Sequence, residues 1–163
     1  MRRAENIIPA GDERLLAEPC LGTITLKREE RYRRRITLCT DQGEAFLLDL
    51  AEATYLPDGT GLECDGGDIV IVRAAPEELL EVTAPDFTTL LRIIWHIGNR
   101  HTPAEVTANT IYIQPDHVLA DMVRGLGGRV ACVTRPFEPE GGAYGGHGSL
   151  ERGHHHHGAH DNA

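Results

Sequence analysis

At Pro76 the chain changes its pattern. Short runs rich in β-branched and apolar residues give way to apolar residues at helical spacing, so the two halves call for different kinds of secondary structure. Upstream, from Ile7 to about Ala75, the pattern is β throughout. Residues 21–26, 35–39 and 45–50 read as strands, with turns at Asp41-Gln42-Gly43 and Pro57-Asp58-Gly59. Residues 60–64 and 68–73 flank Asp65-Gly66-Gly67, a hairpin connection. This half offers no candidate nucleophile, acid–base pair or phosphate loop. Its one basic segment, Lys27 to Arg35, contains Glu29, Glu30 and Tyr32 and reads as a solvated turn or strand edge; a docking surface for an acidic protein is the functional alternative.

Downstream, residues 78–83 read as a strand. Pro85-Asp86 then opens a helix with Asp86 as N-cap and Leu90, Leu91, Ile94 and Ile97 as its apolar stripe. Residues 105–108 and 110–114 follow as strands split by Asn109. Asp116 caps a second helix carrying Val118, Leu119, Met122, Val123 and Leu126, which Gly127-Gly128 ends; residues 129–134 return as a strand. Strand, helix, strand, strand, helix, strand is the ferredoxin-like βαββαβ order. The expected fold is α+β: an all-β domain over 1–75, a ferredoxin-like domain over 76–138 and a disordered His-rich tail over 139–163. Architecture of this kind implies no function by itself.

The tail is Gly-rich and carries His147, His154, His155, His156, His157 and His160. It has ligands but almost nothing to pack, so its imidazoles are free to coordinate metal. The histidine run is embedded in other sequence, unlike a terminal expression tag. A net charge of −9 argues against nucleic-acid and anionic-membrane partners. Residues 1–5 lead into no apolar signal region, and no apolar run is long enough to span a bilayer. Cys20, Cys39, Cys64 and Cys132 are scattered without a Cys-x-x-Cys pair, which suits reduced structural cysteines in the cytosol.

The stretch from Trp95 to Pro103 carries the chemistry. Its two histidines, His96 and His101, lie five residues apart, about 140° around a regular helix, so they could not jointly grip one ion there. Gly98-Asn99 reads as a helix C-cap and Pro103 forbids continuation. His96 is accordingly the last-turn residue, and His101 projects from the loop beyond it.

With these residues in view, the chain resembles the UreE urease accessory proteins, a nickel metallochaperone family. His96-Ile97-Gly98-Asn99-Arg100-His101 is similar to the family's His-Leu-Gly-Asn-Arg-His segment. Arg33-Arg34-Arg35 with Leu38 and Asp41, Leu56 to Thr60 leading to Asp65-Gly66-Gly67-Asp68, Ala74 to Glu77, Leu80-Glu81-Val82, and Asp116 to Leu119 through Met122 follow in the shared order. The resemblance covers nearly the whole chain to about Phe137. It implies a cytoplasmic homodimer, not an enzyme, with His101 at the dimer interface so that two copies bind one Ni(II). It implies delivery to apo-urease with the other urease accessory proteins, the GTPase among them, as partners. His117 matches a position that supplies a ligand in some members, although Pro115 stands where some of those carry a further histidine. The tail histidines complete the expected metal ligands, with Zn(II) and Cu(II) as competitors in vitro. The alternative function is nickel or zinc storage without delivery.

Overall fold

The computed structural model describes residues 1–17 and 20–141. Its first sheet has six strands: β1 (Arg2–Ile8), β2 (Cys20–Leu26), β3 (Tyr32–Cys39), β4 (Ala45–Tyr55), β5 (Gly61–Cys64) and β6 (Ile69–Ala74), in the order β2-β6-β5-β1-β4-β3. Alternation drives it. Along β4, Phe46, Leu48 and Leu50 point inward and meet Leu56, Leu62 and Val72 in one buried cluster. The expected hairpin joins β5 to β6, with Gly66 at φ +95° and Gly67 at φ +87°, backbone that glycine adopts without strain.

The sequence reading began the β region at Ile7 and missed most of β1. Arg2, Arg3 and Glu5 hide it, yet β1 runs through the middle of the sheet, parallel to β4 and antiparallel to β5. Ala4 and Ile8 face the core, while Arg2 Nε donates to Asp68 at 2.8 Å and Arg3 Nε to Asp49 at 2.9 Å. A short helix α1 (Arg14–Ala17) was also unforeseen, while the turn expected in the basic segment is a 3₁₀ turn at Arg28–Arg31.

The second sheet contains β7 (Pro76–Thr83), β8 (Ala104–Val106), β9 (Ile111–Ile113) and β10 (Arg129–Pro136), antiparallel in the order β10-β7-β9-β8. Helix α2 (Phe87–Asn99) connects β7 to β8, and α3 (His117–Gly125) connects β9 to β10. Both helices pack on one face, where Ile93, Ile97, Leu119 and Val123 meet Leu80, Val82 and Ile113. The apolar stripes are rotated from the expected ones. Leu91 and Val118 each stand 50% exposed, whereas Ile93 and Ala120 are buried in their place.

Helix α3 ends in a Schellman motif. Gly127 (φ +92°) donates to Arg124 O at 3.0 Å and Gly128 to Val123 O at 2.9 Å. Gly128 also sits where a Cβ would come within 2.6 Å of Ile93 Cδ1 and 2.7 Å of Val123 Cγ1. Gly128→Ala should therefore lower unfolding free energy by about 1–3 kcal/mol through overpacking. A urea midpoint unchanged from wild type would contradict this.

Beyond β10 the chain returns to β8, at the far edge of the second sheet, and ties the two sheets together. Phe137 is fully buried, and Glu138 N–H donates to Glu105 Oε2 at 2.9 Å. Arg31, at 0% exposure, donates to a Glu138 carboxylate oxygen and to Phe137 O, with its guanidinium 5.2 Å from the Tyr55 ring centre. The same carboxylate accepts from Asp58 N–H at 3.0 Å and from the Tyr55 hydroxyl at 3.4 Å. Burial pushes the Tyr55 phenol up to about 12. Residues 32–35 of the basic segment do lie on β3, a sheet edge, as expected; Arg31 beside them is not solvated but sealed.

Candidate metal site

Helix α2 begins as the sequence indicates. The Asp86 carboxylate accepts from Thr89 N–H at 2.8 Å and from its hydroxyl at 2.9 Å. Those hydrogen bonds, the backbone one foremost, hold the Asp86 carboxyl below its usual range. With Leu90, Ile93 and Ile97 turned inward, Phe87, Leu91 and Trp95 form a second apolar row at i, i+4 and i+8. They are 65%, 50% and 64% exposed. A groove of about 300 Å³ runs along this row, lined by Thr88, Leu91, Arg92, Trp95 and His96. The half-buried His96 stacks edge-on against Trp95, ring centres 5.0 Å apart, in the last turn as expected.

The helix end differs from the sequence reading. Gly98-Asn99 does not break it; α2 runs through Asn99 with Arg100 as C-cap. Arg100 N–H donates to Ile97 O at 3.1 Å and His101 N–H to Gly98 O at 3.0 Å. The left-handed residue that turns the chain is His101 itself, φ +54°, the one non-glycine with positive φ among the described residues. Holding a histidine there costs about 1–3 kcal/mol that a glycine would largely avoid. The imidazole so presented is exposed.

Sheet register gathers the other candidate at the same end. Ala104, three residues after His101, pairs with Ile113, and His117 follows Ile113 by four. His117 is the exposed first residue of α3, whose N-cap Asp116 accepts from Leu119 N–H at 3.0 Å. Glu140 N–H donates to Ala104 O at 2.8 Å, so the root of the tail reaches this end too. Among the described residues, no three His, Cys, Asp or Glu side chains come together to hold an ion. His147, His154, His155, His156, His157 and His160, and the expected disorder of the tail, lie outside the described residues. All four cysteines are free of disulfides; Cys64 is buried, while Cys20, Cys39 and Cys132 are exposed, so a packing role fits only Cys64. No helix among the described residues is long and apolar enough to cross a membrane.

The exposed row on α2 escaped the sequence reading. Its signal, apolar residues at 87, 91 and 95, was present but overlapped the inward stripe.

Family models described as "UreE urease accessory protein, N-terminal domain" and "UreE urease accessory protein, C-terminal domain" match residues 4–75 and 77–162. The chain is 48% identical over 127 residues to the protein named urease accessory protein UreE of Rhodopseudomonas palustris (strain HaA2), covering 78% of this chain and 59% of that one. The protein of the same name from Chelativorans sp. (strain BNC1) is 49% identical over 138 residues, covering 85% of this chain and 86% of its own. That from Beijerinckia indica subsp. indica is 40% identical over 154 residues, covering 94% and 87%.

Proposed function

The chain belongs to the UreE family of urease accessory proteins, and from that premise we propose that it is a nickel metallochaperone, binding Ni(II) and delivering it to apo-urease. The family is one of accessory proteins to urease maturation, not of enzymes. One observation carries the metal assignment: His101 turns the end of α2 from a left-handed conformation that strains a histidine, with its imidazole exposed. Strain held at an exposed ligand-type side chain points to a role for that side chain.

A single imidazole does not make a site. A second copy related by a C₂ axis would supply the same residue automatically. The exposed row of Phe87, Leu91 and Trp95 lies on the helix that His101 follows and gives such a dimer an apolar surface to bury. His117 and the tail histidines would then supply further ligands, with water completing the shell. Ni(II) takes imidazole readily, and Zn(II) and Cu(II) compete for the same donors in vitro, so selectivity rests on geometry and supply. An open site of this kind suits release to a partner better than closed storage.

The strand order β10-β7-β9-β8 with both helices on one face supports a ferredoxin-like metal-binding and dimerisation domain over residues 76–138. The all-β domain is assigned to 1–75 and the tail to 139–163. The working partners are the other urease accessory proteins, including the GTPase, and apo-urease, in the cytoplasm.

Light scattering on the metal-free protein should give about twice the 17.9 kDa chain mass. Trp95→Glu should return the mass to that of one chain, because a carboxylate would have to be desolvated at the centre of the interface. A wild-type chain that is monomeric both with and without nickel would sink the two-histidine site.

A further inference from the structure

Six of the chain's lysines and arginines fall between Lys27 and Arg35, in a protein whose 25 Asp and Glu outnumber its 16 Lys and Arg. Carboxylates are in excess, and elsewhere on the first sheet each arginine finds one. Arg2 holds Asp68 at 2.8 Å, Arg3 holds Asp49 at 2.9 Å, and Arg73 stands 3.8 Å from Asp58. Arg33 and Arg34 form no ion pair among the described residues, and Arg35 is 3.6 Å from the Asp49 that Arg3 already occupies. Two neighbouring carboxylates are turned to backbone instead. Glu30 accepts from Lys27 N–H and Glu77 from Arg28 N–H, each at 2.8 Å.

The strand that carries these arginines, β3, is an edge of its sheet. The opposite edge, β2, is covered by the turn after β3. Asp41 N–H donates to Thr23 O at 2.7 Å, Thr23 N–H to Gln42 Oε1 at 2.9 Å and Thr25 N–H to Asp41 Oδ1 at 3.2 Å. No strand among the described residues pairs with the outer edge of β3. The irregularity in its pairing is taken up by its neighbour: Arg33 and Arg35 face Thr54 and Asp49, so β4 bulges while β3 stays extended. Unpaired N–H and C=O groups on an extended edge are a template for a further strand. A second copy does not suit it, because an antiparallel β3 would set arginines against arginines, and like charges directly opposite destabilise a pair. The same charges favour an acidic strand, whose carboxylates guanidinium groups can grip bidentately. Tyr32, 59% exposed at the head of the strand, adds an aromatic contact.

We infer that the outer edge of β3 docks an extended acidic segment of a partner protein, which adds as a seventh strand and sets its carboxylates against Arg33, Arg34 and Arg35. A net charge of −9 disfavours a nucleic acid at the same strip. The strip lies on the first sheet, whereas the His101 loop belongs to the second, so the inference does not rest on the nickel reading.

The test is fluorescence anisotropy of the full metal-free chain with a labelled octapeptide, Thr-Glu-Val-Glu-Glu-Val-Glu-Thr. The peptide should bind saturably, and the double change Arg33→Ser, Arg34→Ser should weaken it about 10-fold, since two opposite-charge cross-strand pairs are worth about 2- to 30-fold. Two further peptides, N-methylated on the odd or on the even amides, leave the protein untouched. An added strand pairs through alternate residues only, so one of them should lose binding and the other keep it. Absence of saturable binding up to about 1 mM, an unweakened double variant, or equal behaviour of the two methylated peptides would each overturn the proposal. Displacement of the peptide by poly(U) RNA would assign the strip to nucleic acid and overturn it as well.

Discussion

His101→Gly should remove the tight nickel site while leaving the metal-free protein about as stable as wild type. Each dimer would lose both imidazoles at once. Removing even an outer partner of a metal ligand costs 10- to 100-fold in affinity, so loss of the ligands themselves should exceed about 100-fold. Stability behaves differently, because the left-handed backbone at φ +54° favours glycine. Relief of that strain and the greater freedom of glycine in the unfolded chain should offset one another to within about 1 kcal/mol. The measurement is calorimetric nickel titration of a chain ending at Gly141, so that tail histidines do not mask the result, with urea unfolding alongside. His96→Ala supplies the contrast: it breaks the edge-on contact with Trp95 and should cost stability while nickel still binds. Acidification should release the ion as His101→Gly does, since imidazole ligates only when neutral. Tight binding retained in His101→Gly but lost in His96→Ala would reverse the two roles.

Glu138→Ala should be among the most damaging single substitutions outside the two hydrophobic cores. It leaves the Arg31 guanidinium at 0% exposure with no opposing charge, and arginine does not escape by losing its proton. Leaving a buried charge uncompensated costs about 3–5 kcal/mol. The reciprocal change is milder. In Arg31→Met the stranded carboxylate belongs to Glu138, whose side chain is 34% exposed and keeps the Asp58 N–H and the Tyr55 hydroxyl. The double substitution should recover much of the loss, because it removes both charges together. Urea unfolding of the three variants decides the matter. Equal losses from the two single changes would mean that the buried charge is not what makes this junction costly to disturb.

Both predictions depend on features that differ in how far they could be read from the chain. The βαββαβ order was legible because Asp86 and Asp116 cap at the expected places, and Gly127-Gly128 stops α3 through local hydrogen bonds. Capping and periodicity act within a few residues, so they survive in one dimension. That His101 lies beyond the end of α2 was legible as well, although the helix runs through the Gly98-Asn99 break to Arg100 and His101 itself turns the chain. The motif around it was specific enough to carry the family resemblance across almost the whole chain.

What the sequence left open was decided by contacts between residues far apart. β1 looks like a charged leader until Asp49 and Asp68, more than forty residues away, pair with its arginines and let Ala4 and Ile8 face the core. Arg31 reads as one more solvated arginine; only the return of the chain at Phe137 and Glu138, over a hundred residues later, seals it. Leu91 and Ile93 are equally apolar, and which of them turns inward depends on how α2 rotates against the sheet beneath it. Local chemistry along the chain determined the elements and the exposed histidine. The tertiary structure decided which charges are buried and which apolar row is left uncovered, because burial belongs to an assembled surface and not to any stretch of sequence.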